Sequence, residues 1–241
     1  MSLISKKILI TGAARRVGRE LAMAVARAGG NVIIHYGRSK ADAESLREEI
    51  TALGRSASLL QADLDNPLQV ETLVSRASEN GPLFALVNNA AIFEPLTWES
   101  SSLQDWDRTL MINLTAPFLL SQSFARLLPS GETGRIVNML DWRAFRPGAD
   151  HLPYSISKAA LAALTCSLAI ALAPRISVNG LALGAVLPPE DGDIPPNFLK
   201  RVPAGRCADM DEVTQALIFL LEGPAYITGE VIHVDGGRHL L

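Results

Sequence analysis

Short apolar runs recur along the chain, and each is nearly continuous rather than alternating with polar residues. Runs of this kind are typical of strands covered on both faces of a sheet. The predicted strands are Ile8–Ile10, Val32–Ile34, Ala57–Leu60, Leu83–Val87, Ile136–Met139, Ile176–Asn179 and Val231–Val234. Segments with helical periodicity separate them, at Arg16–Ala28, Lys40–Leu53, Leu68–Ser78, Leu103–Leu128, Pro153–Ala173 and Met210–Leu221. This alternation predicts an α/β fold, a doubly wound parallel sheet of about seven strands with helices on both faces.

Proline and polar residues mark several expected boundaries. Asp65 or Asn66 can cap the third helix, with Pro67 at its first position. Because proline lacks the N–H that a helix interior uses, we expect the Leu103–Leu128 helix to break or kink at Pro117. The proline-rich segment Leu183–Pro203 is irregular, and two interpretations apply: a surface loop, or a flap over the carboxyl ends of the strands, where such sheets bind ligands. Its length favours the flap.

The composition narrows the classes of function. The chain has 241 residues, 48% of them hydrophobic, which is enough for one large domain over residues 1–241 with a full core. The net charge is −3 and the Lys and Arg residues are not clustered, so we expect no nucleic-acid or anionic-membrane partner. The apolar stretch Ala159–Ala173 is too short to cross a bilayer comfortably and indicates a buried helix.

Targeting and metal signals are also missing from the sequence. The first residues contain no apolar run followed by a small-residue cleavage site, so secretion is not expected. Cys166 and Cys207 have neither metal nor redox spacing, which is typical of reduced thiols in a cytoplasmic protein. The histidines show no ligand spacing either, so no metal is expected; they are His35, His151, His233 and His239.

A glycine-containing turn connects the first strand to the first helix. The segment reads Thr11-Gly12-Ala13-Ala14-Arg15-Arg16-Val17-Gly18. Gly12 can form a tight turn, Gly18 lets helix and strand approach, and the helix N-terminus offers N–H groups to a pyrophosphate. An ordinary glycine-containing turn is the alternative, and the turn alone does not exclude it.

The end of the second strand favours a phosphorylated dinucleotide. A pocket that prefers NAD usually has an acidic residue about 20 residues after the glycines, where it binds the ribose 2′-hydroxyl. Here the segment is His35-Tyr36-Gly37-Arg38-Ser39-Lys40. Arg38 and Ser39 suit a 2′-phosphate, whereas a solvated basic helix start explains Lys40 but not Arg38, because a cation opposes the helix dipole there. The sequence therefore predicts NADP(H) as the cofactor.

A tyrosine and a lysine lie on one face of the predicted sixth helix. Tyr154 and Lys158 are four residues apart and follow the fifth strand. A nearby ammonium favours ionisation of a phenol, so we expect Lys158 to lower the pKa of Tyr154.

Together with Asn88-Asn89-Ala90-Ala91, Asn113 and the C-terminal Val234-Asp235-Gly236-Gly237, these motifs resemble the short-chain dehydrogenase/reductase family over nearly the whole chain. The resemblance implies a single Rossmann-type domain that acts on a small molecule and assembles as a homotetramer or homodimer through long helices. It implies that Tyr154 exchanges the proton, that Lys158 binds the nicotinamide ribose and that Asn113 holds a relay water. It also implies that Asp63 contacts the adenine and that Asn89 lies beside the cofactor.

Two departures from the usual family pattern resemble its pteridine reductases, including the dihydromonapterin reductase type. Arg16 replaces a third glycine, and Asp141 replaces the serine about thirteen residues before the tyrosine. In those enzymes a pterin ring stacks at the position of Phe93. A serine hydroxyl would stabilise a developing oxyanion, whereas a carboxylate would repel it and suits a C=N group instead. The alternative for Asp141 is a surface salt bridge with Arg143 or Arg146.

These observations define the predicted site. The predicted catalytic residues are Asn113, Asp141, Tyr154 and Lys158. The predicted cofactor contacts are Gly12, Arg16, Val17, Gly18, His35, Arg38, Ser39, Asp63, Asn89, Ala90 and Lys158. The predicted substrate contacts are Arg16, Phe93 and Asp141. We expect an NADPH-dependent reductase of a pterin-like heterocycle; the alternatives are a carbonyl or 3-oxoacyl reductase and a non-catalytic NADPH-binding sensor, which would not need a proton relay.

Overall fold

Parallel strands form one sheet in the computed structural model, which describes residues 2–186 and 199–241. Within this part of the chain the sheet has 7 strands in the order β3-β2-β1-β4-β5-β6-β7. The strands are β1 (Lys7–Ile10), β2 (Asn31–Tyr36), β3 (Ala57–Gln61), β4 (Ala85–Asn88), β5 (Gly134–Asp141), β6 (Ile176–Leu183) and β7 (Val231–Val234). Each adjacent pair is parallel. The predicted fold class is therefore confirmed.

Helices cover both faces of the sheet. They are α1 (Arg16–Arg27), α2 (Lys40–Ala52), α3 (Pro67–Ser78), α4 (Leu103–Leu110), α5 (Ala116–Leu127), α6 (Leu152–Leu172) and α7 (Met210–Glu222). Short 3₁₀ turns follow β5 at Trp142–Ala144 and β7 at Arg238–Leu240. Asn66 is the residue that caps α3, because its side chain accepts hydrogen bonds from the backbone N–H groups of Leu68 and Gln69.

The apolar runs are continuous because alternate residues of each strand enter different cores. Ile8 and Ile10 of β1 are buried under α1, α2 and α7, whereas Leu9 is buried under α3, α5 and α6. Successive side chains of a strand point to opposite faces of the sheet. When helices cover both faces, odd-numbered and even-numbered residues of the strand must therefore both be apolar.

Strand order reverses between β1 and β4, and this reversal positions the site. β1 pairs with β2 on one side and β4 on the other, with Ile10 opposite Ile34 and Val87. The connections after β1 and β4 then leave in opposite directions and open a crevice at the carboxyl ends of the strands. The glycine turn and the Asn88–Ala91 segment border this crevice.

The break in the predicted fourth helix lies upstream of Pro117. A π-helical turn at Met111–Thr115 separates α4 from α5, and Pro117 lies in the first turn of α5. Residues on both sides of this turn are helical, so Pro117 lies within one continuous helix. A proline supplies no N–H to the turn before it, and the predicted distortion lies in that preceding turn as a widening rather than at Pro117 itself. The wide turn contains Asn113.

Two further expectations concern α6 and the loop after β6. Helix α6 has 21 residues and begins before the predicted stretch Ala159–Ala173; the whole helix is, by length and composition only, long and apolar enough to cross a membrane. It instead packs on β5 and β6 and buries Tyr154, Lys158 and Leu161. The predicted flap falls mostly on residues 187–198, which lie outside the described residues.

Candidate active site

The glycine turn is closed by contacts that leave no room for side chains. Gly12 has a φ of +61° in the left-handed region, and a Cβ there would lie 3.0 Å from the Ala90 Cα. A Cβ on Gly18 would lie 2.1 Å from the Gly12 carbonyl oxygen and 2.7 Å from the Asn89 Nδ2. These two glycines therefore permit α1 to begin directly against β1 and β4.

Helix α1 begins at the crevice with a basic first turn. Arg16, Val17 and Gly18 all line the cavity described below, and no acidic residue lies in this turn. Helix N-terminal N–H groups attract phosphate oxygens, so the turn has the geometry of a pyrophosphate cradle. Arg16 has a φ of +51°, in the backbone region that favours glycine. This explains why a glycine at this position suits the turn and marks Arg16 as a strained exception.

His35 supports the turn from behind. Its Nδ1 accepts a hydrogen bond of 3.0 Å from the Gly12 N–H, and its Nε2 lies 3.1 Å from the Ala62 carbonyl oxygen. Burial lowers the pKa of His35 to about 4, so the ring is neutral at pH 7, with the proton on Nε2. The ring is 2% exposed and holds the turn rather than lining the cavity.

Thr11 and Asn89 join the two sides of the crevice. The Thr11 hydroxyl oxygen accepts hydrogen bonds from the backbone N–H groups of Asn89 and Ala90, at 2.9 and 3.0 Å. The Asn89 side chain donates to the carbonyl oxygens of Thr11 and Gly12 at 2.8 and 3.2 Å. Asn89 therefore fixes the distance between the two loops.

A cavity of about 560 Å³ lies between this turn and the carboxyl end of β5. It brings together many predicted site residues, namely Gly12, Arg16, Val17, Gly18, Asn89, Ala90, Phe93, Asp141, Tyr154 and Lys158. Arg38, Ser39 and Asp63 lie instead at the carboxyl ends of β2 and β3, outside its lining. Within the described chain, the Ser39 hydroxyl precedes α2 without capping it. This leaves a second polar region beside the crevice, where a dinucleotide's ribose phosphate would lie.

Asp141 and Tyr154 form the polar centre of the cavity. The Tyr154 hydroxyl donates a hydrogen bond of 3.0 Å to Asp141 Oδ2, and the Arg143 backbone N–H donates to Oδ1 at 2.8 Å. Burial raises the pKa of the Asp141 carboxyl, although these hydrogen bonds oppose the rise. Burial and the Asp141 charge raise the pKa of Tyr154 well above its usual value. The expectation of a lowered pKa for Tyr154 was therefore wrong, because burial and the Asp141 carboxylate outweigh the opposing charge of Arg143.

Lys158 is oriented by the backbone of β5. Its ammonium donates a hydrogen bond of 2.7 Å to the Met139 carbonyl oxygen and lies 5.7 Å from the centre of the Tyr154 ring. Complete burial lowers its pKa to about 8. Lys158 lines the cavity floor beside Tyr154, where it can bind a ribose hydroxyl.

The Asn113 side chain, in the wide turn, both accepts a hydrogen bond from the backbone of Ile92 and donates one to it. Its Oδ1 accepts from the Ile92 N–H at 2.9 Å, and its Nδ2 donates to the Ile92 carbonyl oxygen at 3.0 Å. Nδ2 also donates to the Ser157 hydroxyl at 3.1 Å, which in turn donates to the Tyr154 carbonyl oxygen. π-helical turns of this kind are frequent at functional sites, and this one connects Asn113 to the helix of Tyr154.

The salt-bridge alternative for Asp141 was wrong. The Arg143 guanidinium binds Asp150 through both oxygens, at 2.9 and 2.8 Å, and Arg146 donates to the carbonyl oxygens of His239 and Leu240. Neither guanidinium accounts for the position of Asp141, which remains beside Tyr154.

Sequence reasoning missed four side chains that organise the site: Thr11, Asp150, His151 and Ser157. Thr11 opens the quoted glycine turn and Ser157 directly precedes Lys158, so a hydroxyl beside each motif was the available signal. Asp150 and His151 act through tertiary contacts, for which the sequence carries no periodic or motif signal. Within residues 2–186 and 199–241, no group of three or more His, Cys, Asp or Glu side chains is arranged to hold a metal ion.

Comparison with known proteins places this geometry in context. A family model described as short chain dehydrogenase matches residues 6–196. The 3-oxoacyl-[acyl-carrier-protein] reductase FabG of Aquifex aeolicus is 37% identical, over 98% of this chain and 98% of that protein.

Solved structures are equally similar. The FolM alternative dihydrofolate reductase 1 of Brucella canis, complexed with NADP, is 35% identical with a TM-score of 0.91, over 100% of this chain and 97% of that chain. A short chain dehydrogenase from Burkholderia cenocepacia, in complex with NADP, is 36% identical with a TM-score of 0.92, over 99% of both chains.

Proposed function

The chain belongs to the short-chain dehydrogenase family, a family of oxidoreductases, and from this premise we propose that it is an NADPH-dependent reductase of a pterin-like heterocycle. The substrate class would be dihydropterins, including dihydrofolate, dihydrobiopterin and dihydromonapterin. The bound nicotinamide would supply the hydride. The protein's own residues would hold the ring and deliver the proton.

The observation that carries this proposal is the hydrogen bond between Tyr154 and Asp141 in the cavity. A carboxylate beside the proton donor would repel the negative oxygen that forms when a ketone is reduced. It can instead accept a ring N–H or support protonation of a C=N nitrogen. Because the pKa of Tyr154 is raised, its phenol is neutral at pH 7 and can donate. The hydride would then join carbon and the proton nitrogen, converting C=N to CH–NH.

The cofactor choice is supported by the residues at the end of β2. Arg38 is exposed there, and Ser39 is the residue before α2. An arginine fork and a hydroxyl suit a ribose 2′-phosphate, and the Brucella canis and Burkholderia cenocepacia structures are complexed with NADP. Asp63, exposed at the end of β3, would contact the adenine.

A 3-oxoacyl reductase is the second candidate, because the Aquifex aeolicus relative carries that name at 37% identity. The sensor alternative receives less support, since Asp141, Tyr154 and Lys158 line one cavity and a sensor would not need a proton donor. Likeness over the whole chain does not separate the first two candidates. The side chain at position 141 separates them on physical grounds.

The test is a panel of substrates given to the wild type and to Asp141→Ser. For dihydropterins we expect kcat/KM to fall about a hundred-fold in the variant, the usual scale for loss of a group that assists proton transfer. Activity on an acetoacetyl thioester should be preserved or rise, because a hydroxyl now faces the carbonyl oxygen. Asp107→Ser, an exposed aspartate of α4, is the matched control and should change neither activity. Wild-type turnover of the thioester without turnover of any dihydropterin would overturn the proposal.

We also propose that the protein is a cytoplasmic homotetramer or homodimer. Ile156 and Ile170 of α6 are 42% and 82% exposed, and Leu103 of α4 is 74% exposed. Apolar residues on long helices at this exposure suit helix packing between subunits. Both cysteines are free, as expected of a reducing compartment. Light scattering that shows a monomer would contradict the assembly.

A further inference from the structure

Phe93 lies at the cavity with one ring face covered. Its ring stacks on His151 with centroids 4.0 Å apart and planes inclined by 8°. Its edge meets Tyr154 at 4.6 Å, nearly perpendicular at 78°. The side chain is nevertheless 54% exposed and lines the cavity. The Arg143 guanidinium carbon lies 5.9 Å from the ring centre. The ring is therefore stacked on His151, near a cation, and still more than half exposed toward the cavity.

His151 is itself held by a charged pair. Its Nδ1 lies 3.0 Å from Asp150 Oδ2, and the same carboxylate binds both terminal nitrogens of Arg143. The Arg143 guanidinium, mainly through its hydrogen bond, holds the pKa of Asp150 at about 2, so the carboxylate stays charged at neutral pH. Arg143 also donates its backbone N–H to Asp141. One carboxylate thus connects the support of Phe93 with the turn that places Asp141.

The backbone of His151 is strained where it makes this contact. Its φ is +52°, in the left-handed region, immediately before α6. A residue with a Cβ is held in that region only when surrounding contacts determine it, and such residues concentrate at functional sites. The contacts that hold His151 are those to Phe93 and Asp150.

We propose that His151 is a positioning residue that backs Phe93, so that the exposed part of the Phe93 ring is held against the planar ring of the substrate. The inference rests on the proposed function for the identity of that ring. His151 does not touch the substrate; it restricts the orientation of Phe93. Aromatic pairs prefer defined offsets and contribute modest free energies, so a mobile Phe93 should weaken substrate binding without removing the proton donor.

Three variants distinguish the contribution of the His151 ring from those of its left-handed backbone and of its contact with Asp150. His151→Ala removes the ring and one of the two partners of Asp150, leaving Arg143. His151→Asn keeps a polar partner for Asp150 and tolerates the left-handed backbone, but lacks the ring. His151→Phe keeps the ring and loses the polar partner. NADPH affinity and the thermal midpoint, measured for each, report whether the fold and the cofactor site are intact.

Two readouts are expected to change together. In His151→Ala and His151→Asn, KM for dihydropterin should rise between about two- and ten-fold with kcat within two-fold, and His151→Phe should restore the wild-type KM. In the NADPH-bound protein with ¹³C-labelled phenylalanine, the nuclear Overhauser contact between Phe93 and Tyr154 should be lost in the first two variants and retained in the third.

Any uncoupling of the two readouts overturns the proposal. An unchanged KM with a lost contact would show that the orientation of Phe93 is irrelevant, and a raised KM with a retained contact would show that His151 acts by another route. If the wild type reduces no dihydropterin, the proposed function fails, and the Phe93 contact alone decides whether His151 supports the ring.

Discussion

The two ends of the cavity differ in the chemical groups that line them. At the turn between β1 and α1, two glycines and a helix N-terminus border the crevice beside the Arg16 side chain, and the buried histidine behind them is neutral. At the carboxyl end of β5, Asp141, Tyr154 and Lys158 place ionisable groups within a buried cluster. Binding a phosphate needs fixed N–H groups at a helix end, whereas moving a proton needs side chains whose pKa values differ from those in water.

Because of this difference, we expect mutations at the two ends to impair different properties of the protein. Damage to the turn should weaken cofactor binding and leave the chemistry of bound molecules intact. Loss of the proton-handling side chains Asp141 and Tyr154 should slow turnover and leave cofactor affinity intact. Tyr154→Phe and Gly18→Ala test this division, and His35→Asn tests what supports the turn.

Tyr154→Phe should have the largest effect. We expect kcat to fall about a thousand-fold, because the variant keeps the ring against Phe93 but cannot donate a proton. NADPH affinity, measured by fluorescence titration, should stay within two-fold of the wild type. A comparable loss of NADPH affinity would contradict the separation of the two ends.

The pH dependence of stability should report His35. Its pKa is about 4 in the folded protein and near 6.5 when unfolded, so the unfolded chain binds more protons between these values. Stability should therefore fall as pH decreases from 6.5 to 4, by about 3 kcal/mol from this group. His35→Asn keeps an acceptor near the Gly12 N–H without titrating in this range. Urea unfolding at pH 7 and pH 4 should show a smaller loss in the variant; equal losses would rule out His35 as the source.

Gly18→Ala should have the smallest effect of the three. Its Cβ would meet the Gly12 carbonyl oxygen and Asn89, and relieving such overlap costs about 2 kcal/mol, or roughly a thirty-fold loss of NADPH affinity. Gly37→Ala is the matched control, since a Cβ there lies 3.9 Å from the Ala62 carbonyl oxygen. Titration calorimetry compares the two. Equal affinities would show that crowding at Gly18 does not shape the cradle.

The turn could be predicted from sequence because its requirements are local. The need for Gly12 and Gly18 is set by the backbone geometry of a few neighbouring residues. The strand that precedes them, β1, is recognisable in the sequence as a continuous apolar run. The position of Asp141 relative to Tyr154 was predicted through family resemblance, but the effect on the pKa of Tyr154 was not. That effect depends on burial and on the hydrogen bond from Tyr154 to the Asp141 carboxylate, and neither is encoded in spacing. His35 was predicted as a cofactor contact, yet its hydrogen bonds to Gly12 and Ala62 are set by strand pairing.

The π-helical turn at Met111–Thr115 amounts to one surplus residue in an otherwise regular helix. Each residue of an α-helix advances the chain by about 100°. Without the extra residue, α5 would be rotated by about that angle relative to α4. If Asn113 kept its hydrogen bonds to Ile92, Leu120 and Phe124 would then turn out of the core. The extra residue therefore lets α4 and α5 be oriented independently about one helix axis. The hydrophobic core fixes the rotation of α5, and the loop after β4 fixes the rotation of the turn that contains Asn113.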